Sequence, residues 1–174
     1  MAKKPWARFP TVSAGAEFLV MGYLMRRNIQ TYKAPLNNAG YDLVCIHPDP
    51  RYKPSRRERS QIRVQVKSRI QSDCDRGFPV KAASLDAFDF LVVAFLNIGN
   101  FYRGKDGSEG MRPPEFYTLP ASFVAEHHDA SSTWEKVRLR PIANQIERFK
   151  DEAGFDLIAE ALGIPKPTRK PASE

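Results

Sequence analysis

The sequence predicts an α/β domain: a central mixed β-sheet flanked by helices. Three observations lead there. Residues 13–28 form an apolar helical stretch. Segments 42–46 and 61–70 alternate like strands, and 90–96 is an uninterrupted apolar run suited to a strand buried on both faces. A length of 174 residues suits one domain, and a hydrophobic share of 42% can build its core.

Taken in order, residues 1–12 are basic and contain proline, and read as a flexible arm. Ser13 is the expected N-cap of the first helix, with Glu17 about one turn in. Segment 29–33 is β-compatible, 35–40 is a turn, and 42–46 is a strand. Segment 47–60 holds Pro48, Pro50 and Pro54 and reads as a long excursion between strands. In the next strand Ile62, Val64 and Val66 point one way and Arg63, Gln65 and Lys67 the other. Segment 73–81 looks irregular, and Ser84 is the expected cap of a short helical turn before 90–96. A polar loop over 103–114 leads to a strand at 116–119, and Pro120 opens a helix to about His127. A short strand is expected within 134–139. One or two helices are expected over 146–162, with Gly154 as a break and Gly163 as the stop. The domain is thus expected to span 13–163, with 164–174 a disordered Pro/Lys-rich tail.

The net charge is +7. Between His47 and Arg69 there are eight Lys/Arg against two acids, Asp49 and Glu58. Such a run favours a polyanion, and Arg51, Lys53, Arg56, Arg57, Arg59 and Arg69 are the expected nucleic-acid contacts, beside the candidate site described next. An acidic protein partner is the rival reading. The two cysteines, Cys45 and Cys74, have no zinc-ligand spacing, and Cys45 sits in an apolar strand as a small hydrophobe. The N-terminus lacks the apolar run of a signal peptide and no segment has the length of a membrane span. A cytoplasmic protein without membrane contact is therefore expected.

Four residues stand out chemically. Gln65 and Lys67 share one strand surface, an amide oxygen beside an ammonium. Asp42 lies at the start of the preceding strand, where aspartate is intrinsically disfavoured, although the turn signal of 37–40 gives it a capping role too. Glu17 is the only charged residue from Ala16 to Met25, so its carboxylate should find a partner or a cation. His127 and His128 have no third ligand at useful spacing. Asp86 and Asp89 read as helix-terminating residues outside the site.

Asp42 followed by Gln65-Val66-Lys67 resembles the PD-(D/E)XK nuclease superfamily in a variant where glutamine replaces the second acid, as in some homing endonucleases. The succession of elements over about 13–127 is similar to that family's restriction-endonuclease-like core. Gly15-Ala16-Glu17 resembles the first-helix acid of archaeal Holliday-junction resolvases. Tyr41 stands where the family motif has proline. The resemblance implies a Mg²⁺- or Mn²⁺-dependent endonuclease acting on DNA. It implies a metal set of Glu17, Asp42, Gln65 and the Val66 carbonyl, with Lys67 orienting water or stabilising transition-state charge. Family members commonly pair to cut two strands, which leaves room for a homodimer. The alternative is a catalytically weak or inactive nucleic-acid-binding module of the same fold, with Gln65 as the trace of the loss.

Overall fold

The computed structural model describes residues 10–35, 38–70, 77–100, 108–131, 133 and 135–167. The expectations for residues 1–9 of the arm, for Cys74, for Trp134 and for the end of the tail lie outside them. Helix α1 runs Pro10–Arg26, so it begins before Ser13, and residues 10–12 belong to the helix rather than to an arm. Ala16, Val20 and Leu24, spaced four apart, are fully buried and set the face that meets the sheet. The helix stops at Asn28, whose φ of 63° is the left-handed conformation that asparagine tolerates.

The main sheet has five strands: β1 (Gln30–Lys33), β2 (Leu43–Ile46), β3 (Gln61–Arg69), β5 (Phe90–Phe95) and β6 (Glu115–Pro120), in the spatial order β1-β2-β3-β5-β6. Among the described strands of this sheet only the β3–β5 pair is parallel. It is therefore a mixed sheet, as the patterning predicts. Between β3 and β5 the chain makes β4 (Phe78–Pro79) and a single 3-10 turn, Ala82–Ser84, which lies inside the stretch where a capped helical turn is expected. Ser84 ends that turn rather than capping it. Phe78 pairs with Val137 in a second, three-stranded sheet made of β4, β8 (Lys136–Val137) and β7 (His128–Asp129).

Two apolar layers cover the main sheet. On one face Ile62, Val64, Val66, Leu43 and Cys45 pack under α1 and under α4 (Asp151–Ala161). On the other, Leu91, Val93, Phe95 and Leu119 pack with Phe78, Val137 and with Phe123 of α2 (Ala121–Glu126). Short α3 (Ala143–Ile146) and a 3-10 turn lead into α4. Gly154 lies within α4 and is not a break. A Cβ there would stand 2.1 Å from the Phe149 carbonyl oxygen and 2.9 Å from the Thr118 side chain, so the missing side chain is what seats α4 on β6. Gly163, at φ 73°, ends the helix as expected, and Ile164 is buried, so the packed domain extends past 163. Among the described residues no helix is long and apolar enough to cross a membrane.

Candidate active site

Strand directions sort the candidate residues into two ends of the sheet. Because β1, β2 and β3 run antiparallel in turn, the end of β1, the start of β2 and the end of β3 share one end of the sheet. Asp42, Gln65, Lys67 and Arg69 all fall there. So does the N-terminal half of α1, because its C-terminus leads directly into the start of β1, and Glu17 pairs with Lys33 at the other end of that strand.

Asp42 does not open β2; it occupies the bend just before Leu43. Its amide donates to the Val64 carbonyl at 2.9 Å, and its own carbonyl accepts from Ala34 at 2.8 Å. Its Oδ2 then accepts the Val66 N–H at 2.7 Å. The regular ladder of β2 on β3 ends at Leu43 and Val64, so the Asp42 carboxylate takes the next β3 amide that faces that edge. Backbone groups recur every two residues along a strand, so the Val66 carbonyl faces the same edge as the Val64 carbonyl that binds Asp42. The Asp42 carboxylate and the Val66 carbonyl therefore face the same edge of β3.

Gln65 and Lys67 pair with Leu91 and Val93 in the parallel ladder and share their face of the sheet. Both are partly exposed. Among the described residues neither makes a side-chain hydrogen bond or ion pair. Glu17, expected in the metal set, is differently placed. It sits on α1 and is ion-paired with Lys33, whose cross-strand partner Leu43 belongs to the α1 face. The pair answers the need of a carboxylate set in an apolar helix, but it meets the sheet from the face opposite Gln65 and Lys67.

No three His, Cys, Asp or Glu side chains come together as a metal site among the described residues. Any cation at this end would rest partly on other oxygen donors. The second oxygen of Asp42 makes no hydrogen bond among the described residues, and the Gln65 amide oxygen and Val66 carbonyl lie on the same strand end. Three such oxygens are donors of the kind a hard cation takes among its six oxygen ligands, with solvent and phosphate as the rest.

The part of the basic run in residues 47–60 is not beside this site, and the reason is topological. Residues 47–60 join the end of β2 to the start of β3, which is the other end of the hairpin. Six strand residues separate Gln61 from Lys67, about 20 Å. Three of the expected contacts are also spoken for within the protein. Arg51 pairs with Asp49 at 3.1 Å. Arg59 binds Asp89 at 2.8 Å, and Arg69 donates to the Ser68 and Gly77 carbonyls.

Asp89 is the residue that sequence reasoning set aside. It is 11% exposed, accepts the Arg63 amide at 2.8 Å and the Arg63 side chain at 3.3 Å, and its own amide donates to the Arg63 carbonyl at 2.8 Å. It locks the start of β5 to β3 and fixes the register that places Gln65 opposite Leu91. His128 bonds the Val80 carbonyl at 2.7 Å within the small sheet, a structural role. The Cys45 thiol is pushed up to about 12 by burial, with a smaller opposing effect of the Thr31 hydroxyl, which keeps it protonated and inert.

No protein-family model matches the chain, and no curated protein or solved structure matches it either.

Proposed function

We propose that the chain is a divalent-cation-dependent DNA endonuclease of the PD-(D/E)XK type, with Asp42, Gln65, the Val66 carbonyl and Lys67 as its working groups. The observation that carries the reading is the 2.7 Å bond between Asp42 Oδ2 and the Val66 amide. It ties an acid from the start of one strand to the middle of a Gln-x-Lys segment on the next, which is the arrangement that the family's chemistry uses. The element order, one helix then three antiparallel strands followed by a fourth parallel to the third, supports the restriction-endonuclease-like core.

A Mg²⁺ or Mn²⁺ ion held by Asp42, Gln65 and the Val66 carbonyl would polarise a phosphoryl oxygen and acidify a bound water. The protein's own contribution is positional. The bond from the Val66 amide fixes the Asp42 carboxylate, so it does not need to be ordered when substrate arrives. Lys67, with no ion pair among the described residues, is a cation available to donate to a phosphate oxygen as negative charge builds there. Glu17, paired with Lys33 on the α1 face, stands outside this group.

A second reading is favoured by one observation: the Glu17–Lys33 ion pair leaves Asp42 as the single uncompensated acid of the group. That suits a module that binds nucleic acid without cleaving it. Calorimetric titration with MnCl₂ beside a supercoiled-plasmid nicking assay separates the two. Cation binding with nicking supports the nuclease. DNA binding without cation heat or nicking supports the module and removes the nuclease.

A further inference from the structure

The loop of residues 47–60 is held from within. The rings of His47 and Tyr52 stack at 3.8 Å and 11°. The Tyr52 hydroxyl donates to Glu58 Oε2 at 2.8 Å, and the Ser55 amide donates to the same oxygen at 2.7 Å. The Arg59 amide reaches the Ala161 carbonyl of α4 at 2.8 Å. A Cβ at Gly163 would lie 2.1 Å from the Tyr52 hydroxyl, so the glycine that ends α4 also gives the loop its seat. Pro48, Pro50 and Pro54 restrict the backbone further.

This frame uses up the loop's acids. Glu58 is bound by Tyr52 and Ser55, and Asp49 by Arg51 at 3.1 Å. Arg59 is taken by Asp89. Lys53, Arg56 and Arg57 remain, all exposed, and none makes an ion pair or hydrogen bond among the described residues. Three cations within five positions, on a shaped support and with Pro54 as the exposed apolar side chain among them, suit a partner recognised chiefly by charge.

We propose that Lys53, Arg56 and Arg57 form a distinct contact for the phosphate backbone of a polynucleotide, at the end of the sheet away from Asp42 and Lys67. The contact carries no base-reading group, so it positions without specifying sequence. Since β3 alone spans about 20 Å between the two ends, one duplex touching both extends over about six base pairs or more at 3.4 Å per pair. The proposal rests on the nucleic-acid reading above for the class of partner and is independent of cleavage.

The test compares the full chain with the triple variant Lys53→Gln/Arg56→Gln/Arg57→Gln. A charge-matched control is Lys136→Gln/Arg138→Gln/Arg148→Gln, on other surfaces, and thermal melting confirms that each protein is folded. Binding of a labelled random-sequence duplex of about 25 base pairs is followed by fluorescence anisotropy from about 50 to 300 mM NaCl. The expected result is a loss of about tenfold or more in affinity for the loop variant, and a slope of log K against log salt smaller by about 2 to 3, with much less change in the control. Equal losses in both variants would show only an effect of net charge and overturn the proposal. So would unchanged affinity in the loop variant, or no duplex binding by the full chain. If the loop result stands and no cation-dependent nicking is seen, the nuclease reading fails while this contact remains.

Discussion

The carboxylate of Asp42 stands in for a missing strand partner: it accepts the Val66 amide where β2 has already turned away from β3. A charged residue thereby completes a β-ladder and stands at the end of the strand that bears Gln65 and Lys67. The two roles separate by substitution. Asp42→Asn keeps an oxygen for the Val66 amide and removes the charge, so stability should change by less than about 1 kcal/mol. Asp42→Ala leaves the amide unpaired and should cost about 1–3 kcal/mol in urea denaturation.

Asp89 holds more of the fold than its place in a short loop suggests. Removing it leaves the Arg63 amide and the Arg59 and Arg63 side chains without their shared acceptor. Asp89→Ala should therefore destabilise by about 3 kcal/mol, measured by urea denaturation. A loss below about 1 kcal/mol would mean that water replaces the carboxylate fully.

Two glycines should respond in opposite directions. Gly154→Ala drives a methyl against the Phe149 carbonyl and Thr118, and should cost about 2 kcal/mol or more. Gly22, in the exposed middle of α1, has nothing within 4 Å of an added Cβ. Gly22→Ala should stabilise by about 0.5–1 kcal/mol, because alanine restricts the unfolded chain and favours the helix. Melting temperatures of both variants decide the pair.

Cys45 predicts an alkaline dependence. Its thiol is pushed up from 9.0 to about 12 in the folded protein, so the unfolded chain ionises first. Its contribution is full below the unfolded value and is lost as pH rises from there through the folded value, at about 1.4 kcal/mol per pH unit. Comparing wild type with Cys45→Val near pH 8 and near pH 10.5 should show wild type losing about 2 kcal/mol more. Parallel losses in the two proteins would contradict it.

What was legible in the sequence followed from local period. Ile62, Val64 and Val66 announce β3, and the run 90–96 announces β5, because alternation and burial act over neighbouring residues. Of the second sheet, β8 falls inside the short strand expected within 134–139, whereas β4 and β7 were hidden, since they have two residues each and no period can show in so few. Asp89 was hidden because its partners Arg59 and Arg63 lie 30 and 26 residues away in the chain. Gly154 looked like a helix break because glycine is a poor helix former, whereas tertiary contact with Thr118 outweighs propensity there. The basic loop lies apart from Gln65 for a simpler reason: nearness in sequence is not nearness in space. In a hairpin, the connecting loop and the late half of the second strand lie at opposite ends.

The most direct measurement is the initial rate of supercoiled-plasmid nicking in MnCl₂ by wild type, Asp42→Asn, Lys67→Ala and Gln65→Glu. The account predicts nicking by wild type, rates lower by about 100-fold or more for the first two variants, and activity retained or raised when Gln65 becomes an acid. Wild-type rates in Asp42→Asn and Lys67→Ala would contradict it.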